Sequence, residues 1–419
     1  MLITDVEVEG HGRVDVRVTG GQVAEIGPRL AGRSDVDGRG GALLPGLHDH
    51  HVHLASLAAE ATSVRVGPAD VRGPDGFAAA LRSGGPGEWV RAVGYHQSVA
   101  GELDRWVLDG IAPDRPVRVQ HRGGALWVWN SAALRAAGIH SADGRFWRED
   151  ERLRGFVPPV RLDLVSVGLR AAAYGITGCT NADPHPENGL LDLLSVLPQR
   201  LVVMGVGHAP VKVLLDDTTL PAPGDLAAVV AAARPRAVAV HCVTRVQLLV
   251  TLLALDEAGP VDGDRIEHGS VIPAETIPWL KRLGVTVVTQ PHFPLERGTE
   301  YATDVDPDDR AHLYRCRSLA EAGVTFAAGT DAPFGTCDPW AVMRAAVERG
   351  DGEGIGRRAA LDLFAGDPQL PGNARRVTVG SVADLCLLHV SLREALDALS
   401  AETVRAAFVG GRRITPQDG

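Results

Sequence analysis

Residues 45–54 read PGLHDHHVHL, which gathers His48, Asp49, His50, His51 and His53 on one short apolar stretch. On an extended strand alternate side chains share a face, so Asp49, His51 and His53 point one way and His48 and His50 the other. Two imidazoles two positions apart reach one cation at a strand end. His51 and His53 are therefore candidate metal ligands, whereas His48 and His50 are expected to hydrogen-bond locally.

Buried-type apolar runs recur along the chain, most of them followed by a helical stretch. They are GITGCTNAD (175–183), RLVVMGVG (200–207), PVKVLLDD (210–217), AVAVHCV (237–243), RIEHGS (265–270), VTVVTQPHF (285–293) and TFAAGTDAP (325–333). With the histidine-rich run they make eight, and strands interleaved with helices predict an α/β fold: a TIM (β/α)8 barrel over residues 44–365. Only residues 208–210 separate VVMGVG of the third run from VKVLLDD of the fourth, while a parallel crossover needs a dozen or more residues, so the barrel is expected to be distorted there. Over a hundred residues separate the first two runs, predicting an inserted lid at about 65–155. Residues 1–43 and 366–419 alternate as short strands with glycine turns, as in VEVEGHGRVDVRVTGGQVAEIG (6–27) and VTVGSVADLCLLHV (377–390). The two ends are expected to close into one small β-sandwich domain.

Composition narrows the partners. The chain is 45% hydrophobic and 22% charged, with a net charge of -10 and no basic run to attract nucleic acid. Its longest apolar stretches fall short of a bilayer span, and MLITDVEVEG resembles a strand, not a signal peptide. Five scattered cysteines suggest no disulfide framework, so a cytoplasmic protein acting on a small molecule is expected, without nucleic acid or membrane.

A parallel barrel keeps its chemistry at the C-terminal strand ends. His241 ends one run, His268 the next, and Asp331 follows TFAAGT, so three donors join the HxH pair. This set suits a borderline divalent cation, most readily zinc, with iron, manganese or nickel as alternatives. His292, ending TQPHF, is placed to polarise a substrate carbonyl or to support a lid. Tyr95, His96, Asn181 and Asp183 are candidate pocket walls, and Trp127, Trp129, Phe334 and Trp340 a candidate aromatic lining.

In this order, PGLHDHHVH, HCV, RIEHGS and GTDAP resemble the amidohydrolase superfamily. WVRAVGYH (89–96), LDGIAPDRPV (108–117), WNSAAL (129–134), TQPHF (289–293) and GTDAPFGTCDPWAVMRAAVER (329–349) are similar to its branch of N-substituted formamide deformylases. The resemblance implies that His51, His53, His241 and His268 bind metal, and that Asp331 ligates it and accepts a proton from the attacking water. It also implies that Lys212 is carboxylated and bridges two ions. Of the 42 basic residues only Lys212 and Lys281 are lysines, and a guanidinium does not deprotonate to take that role. One or two ions, a catalytic residue pair of Asp331 and His292, and a homodimer are the expectations.

Two departures from the family pattern bear on substrate. Ala125 stands where relatives often carry a histidine, with His121 four residues earlier. Thr244 stands where base deaminases place a glutamate three residues after the strand-5 histidine, which disfavours base deamination. The expected reaction is hydrolysis of a non-peptide C–N bond, in a linear amide or formamide. A cyclic amide or imide hydrolase of imidazolonepropionase or hydantoinase type is the alternative within enzymes, and a non-catalytic scaffold the alternative outside them.

Overall fold

The computed structural model describes residues 1–84, 88–183 and 189–415. The predicted insertion and C-terminal segment therefore include residues 85–87 and 416–419, which lie outside the described residues. The chain forms two compact units, one of residues 1–53 with 165–419 and one of residues 54–164.

The larger unit has a TIM-barrel-like α/β fold built on eight strands. They are β1 (Leu47–Val52), β2 (Ile176–Asn181), β3 (Arg200–Val203), β4 (Val211–Val213), β5 (Val238–Cys242), β6 (Arg265–His268), β7 (Thr286–Thr289) and β8 (Phe326–Ala328). A parallel three-stranded sheet runs β3-β2-β1 and a parallel five-stranded sheet runs β4-β5-β6-β7-β8. Their edges meet at two seams. At one, His51 and Ala332 carbonyls accept from the Asp331 and His53 amides at 2.8 and 2.9 Å. At the other, the short 204–210 connection turns on itself, Gly205 N–H donating to the Pro210 carbonyl at 2.8 Å. No ladder joins β3 to β4 among the described residues. That break falls where the chain is too short for a helical crossover.

Alternation along the strands sorts the core from the interior. Val238, Val240 and Cys242 of β5 pack outward with Leu248, Leu252 and Leu255 of the following helix (Arg245–Ala258), each essentially inaccessible to solvent. Each fully buried Val or Leu contributes roughly 1.5–3 kcal/mol. Ala239, between them, faces inward onto Ala182 and Met204. Thr244 starts that helix, its side chain accepting from the Gln247 N–H, an N-cap that a β-branched hydroxyl serves well.

Both chain ends contribute to two four-stranded sheets. One joins Gln22–Gly27, Gly12–Thr19, Leu2–Val8 and Val36–Asp37; the other joins Arg412–Arg413, Val404–Val409, Leu385–Leu388 and Leu43–Pro45. Ile3, Val16, Leu43, Leu385 and Phe408 share their common core.

The smaller unit is a five-stranded mixed sheet in the order Arg145–Trp147, Leu126–Trp129, Val117–His121, Val90–Tyr95 and Val64–Arg65. Val90, Ala92, Val117 and Val119 bury one face with Phe77, Leu81 and Leu108. No helix of the described residues is long and apolar enough to cross a membrane.

Candidate metal centre

β1 delivers its histidines as alternation dictates. The His51 and His53 rings lie together, centroids 5.4 Å apart, while His48 and His50 pair separately at 4.7 Å. His48 Nε2 lies 2.9 Å from the Thr180 hydroxyl. Asp49 accepts from the Thr330 N–H at 3.0 Å and its hydroxyl at 2.5 Å, thereby fixing the residue that precedes Asp331.

His51, His53 and Asp331 converge. Each offers one ligand atom within 4.8 Å of the others; His51 Nε2 and His53 Nε2 lie 3.5 and 3.4 Å from Asp331 Oδ1. His51 Nε2 and Asp331 Oδ1 are buried without a hydrogen-bond partner among the described residues. Buried polar atoms are rarely left so, and two unpaired acceptors facing a third donor set fit a divalent cation. Asp331 itself sits at φ 52° and His268 at φ 69°, a left-handed backbone that non-glycine residues seldom adopt and that clusters at functional sites. At His268 it overrides the alternation that sends Ile266 outward and turns the imidazole into the interior.

The opposite ring nitrogens are all engaged. His51 Nδ1 bonds Glu267 Oε2, His53 Nδ1 lies 2.7 Å from Asp183 Oδ1, and His268 Nδ1 lies 2.8 Å from Gln290 Oε1. Carboxylate and amide oxygens only accept, so each Nδ1 carries a proton, and each Nε2 is the atom left to face a cation. Glu267 is braced in turn by Arg265 Nε at 2.7 Å, both side chains fully enclosed.

His241 stands beside this group, its ring 4.6 Å from that of His268, which lies 4.7 Å from His51. Lys212 pairs in register with the inward-facing Ala239, so its side chain enters the same interior. There the Lys212 ammonium is held below its ordinary pKa by burial, against the attraction of Glu267 and Asp331. Burial, aided by the Lys212 charge, also keeps the His51 imidazole far below its usual value. His53 moves the other way: burial opposes its protonation, but Asp183 and Asp331 outweigh it and raise the pKa to about 9. Burial pushes the Asp331 carboxyl up, yet His53, His268 and His51 together hold it well below the carboxylate range.

The remaining predicted residues fall elsewhere. His292 is 2% exposed, both ring nitrogens lacking a partner among the described residues, with its ring on Phe293, centroids 4.6 Å apart. A Cβ at Gly335 would stand 2.3 Å from His292 Nε2, so only glycine lets the loop after β8 cover this imidazole. Phe334 packs its edge on His53 at 5.3 Å, but Trp340 is fully buried and donates to the Tyr174 carbonyl at 2.9 Å; it lines no pocket. Asn181 donates to Asp183 at 3.0 Å. Tyr95, His96, His121, Ala125, Trp127 and Trp129 belong to the smaller unit, where Tyr95 and Trp129 are buried in its cores. Glu267, Gln290 and Thr330 escaped sequence reasoning. Their only signals are the adjacency of Glu267 to His268 in RIEH and of Thr330 to Asp331 in GTDAP, and the place of Gln290 two residues before His292 in TQPHF.

Imidazoles and a carboxylate gathered at the C-terminal ends of parallel strands in a TIM-barrel-like α/β fold make a candidate site for a divalent cation. The chain belongs to the amidohydrolase family, whose model matches residues 36–154 and 187–415. Among solved structures it is similar to an uncharacterized metal-dependent hydrolase from Pyrococcus furiosus (20% identity, 91% of this chain and 97% of that chain, TM-score 0.70). It is also similar to N-isopropylammelide isopropylaminohydrolase from Burkholderia multivorans (17% identity, 99% and 97%, TM-score 0.58). A third is atrazine chlorohydrolase from Arthrobacter aurescens TC1, complexed with zinc and atraton (16% identity, 99% and 95%, TM-score 0.58). A comparison with curated protein sequences returned no match.

Proposed function

We propose that this protein is a metal-dependent hydrolase of a non-peptide C–N bond, acting on a small linear amide or formamide. The observation that supports it best is the convergence of His51 Nε2, His53 Nε2 and Asp331 Oδ1, with each histidine Nδ1 already held by a carboxylate. In this reading His51, His53 and Asp331 hold a divalent cation, zinc for preference, and His241, His268 and Lys212 complete the set for a second. A cation held there would supply Lewis acidity, polarising a carbonyl and lowering the pKa of a water to about 7.

The chain's own groups then do the rest. Asp331, kept ionised by its histidine neighbours, takes a proton from the attacking water and returns it to the departing nitrogen. Burial of Lys212 favours its free amine, the form that combines with carbon dioxide to give a carboxylated side chain and a proton. His292 is assigned to supporting the loop over Phe334 rather than to touching the carbonyl, because it is enclosed under Gly335. Opening a cyclic amide needs the same groups, so the substrate panel must contain both classes. A cytoplasmic, homodimeric enzyme completes the proposal.

The test is turnover of N-formyl, N-acyl and cyclic-amide panels by zinc- or manganese-loaded protein, with elemental analysis. Asp331→Asn is expected to lower kcat by roughly 10²–10⁴-fold. Protein that takes up neither metal, or an Asp331→Asn variant with unchanged kcat, would sink the proposal.

A further inference from the structure

Arg297 has a backbone carbonyl for a partner and no carboxylate among the described residues. Its Nη2 donates to the Phe334 carbonyl and its guanidinium lies flat on the Phe293 ring, Cζ 3.7 Å from the centroid. The described structure gives it no ion pair and no further hydrogen bond, and the side chain is half-buried. Glu296 is close enough to feel the charge, but burial dominates that carboxyl and its own hydrogen bond runs to the Thr336 backbone.

The position of this cation links it to the candidate centre. Phe334, whose carbonyl it holds, packs its ring on His53. Phe293, which carries it, sits between His292 and Tyr314, centroids 4.6 and 5.8 Å away. Tyr314 OH accepts from the Ser270 hydroxyl at 2.9 Å and lies 3.1 Å from Tyr301 OH; Ser270 follows His268 by two residues. The guanidinium is thus one residue removed from a predicted metal ligand. One face is stacked and one nitrogen anchored, so the guanidinium is immobilised before any ligand arrives. A planar donor edge fixed in this way matches a carboxylate, and its ordering entropy is spent in folding.

We infer that Arg297 is a specificity-determining residue that binds a carboxylate carried by the substrate, remote from the scissile bond. The inference deepens the proposed activity and rests on that reading for the identity of the reacting group. It defines the substrate class as N-acyl or N-formyl compounds with a free carboxylate, such as N-acyl amino acids.

The experiment compares N-formyl derivatives of glycine, leucine and phenylalanine with their carboxamides, on metal-loaded wild type and on Arg297→Gln. Glutamine keeps a donor for the Phe334 carbonyl and removes the charge. Wild type is expected to favour carboxylates in kcat/KM by roughly 10–100-fold, the range of a charged hydrogen bond. Arg297→Gln should erase that preference through KM and leave the carboxamides unchanged. Equal wild-type rates on both series, or equal losses on both in the variant, overturn the inference; a purely structural hold on Phe334 gives the latter. If no member is hydrolysed, the activity reading falls and calorimetric titration of the same compounds decides Arg297. Carboxylate binding that weakens tenfold or more in Arg297→Gln sustains it, and absence of carboxylate binding to wild type overturns it.

Discussion

His51 bonds Glu267 through Nδ1, and the other oxygen of Glu267 takes the Nε–H of Arg265. The three form a buried relay that ends at His51 Nε2. Its place inside the fold makes it consequential, because neither charge of the Arg265–Glu267 pair has access to water. Glu267→Gln should weaken metal binding by about 10–100-fold, read by competition with a chromophoric chelator. It also strands Arg265, so stability in urea should fall by roughly 3 kcal/mol. Wild-type metal affinity in this variant would show that the relay does not orient His51.

Lys212 carries a different expectation. Lys212→Arg keeps a cation but no amine that deprotonates. If the carboxylated side chain bridges two ions, Lys212→Arg and Lys212→Ala should each bind about half the metal of wild type, by elemental analysis of protein loaded in bicarbonate. Full retention in both would leave one ion or another bridging group.

Gly329 lies against β1. A Cβ there would stand 2.5 Å from His51 N and Cβ, backbone that has nowhere to move without opening the seam beside β8. Gly329→Ala should cost about 1–3 kcal/mol and reduce metal uptake, whereas Gly350→Ala, which meets nothing within 4 Å, should do neither. Thermal melts and metal titration of both variants check this.

Burial, and secondarily Arg297, lower the pKa of His292 from 6.5 to about 3. Between those values the unfolded chain binds a proton that the native imidazole refuses, so stability is lost as pH falls below about 6.5. At pH 5 this group alone should cost roughly 2 kcal/mol relative to pH 7. In His292→Asn the difference between urea unfolding at pH 7 and pH 5 should shrink by that amount. An unchanged difference would mean the imidazole is protonated in the native state.

Much of this was legible from residues 45–54 outward. Alternation on β1 separates His51 and His53 from His48 and His50 because the strand is regular enough for a period of two to hold. It fails at His268, where Ile266 faces the outer core and a left-handed backbone redirects the histidine; no pattern in RIEHGS encodes that torsion. Trp340 was a candidate lining residue because aromatic composition does not reveal which way an indole faces. Glu267 and Gln290 stayed hidden because their partners lie 216 and 22 residues away, a relation fixed only by strand order. Ala125 and His121 lie in the unit 54–164, whose sheet is internally complete and whose sequence pattern reports its own core.

Asp49 and Thr330 are joined by two hydrogen bonds across 281 residues of chain, at the seam between the first barrel strand and the last. During synthesis, therefore, the histidines emerge early and wait for their carboxylate. A nascent chain stalled before residue 330 has the imidazoles without the clasp, and cannot assemble the centre however much cation surrounds it. Assembly of the candidate centre waits on translation of the final third of the polypeptide.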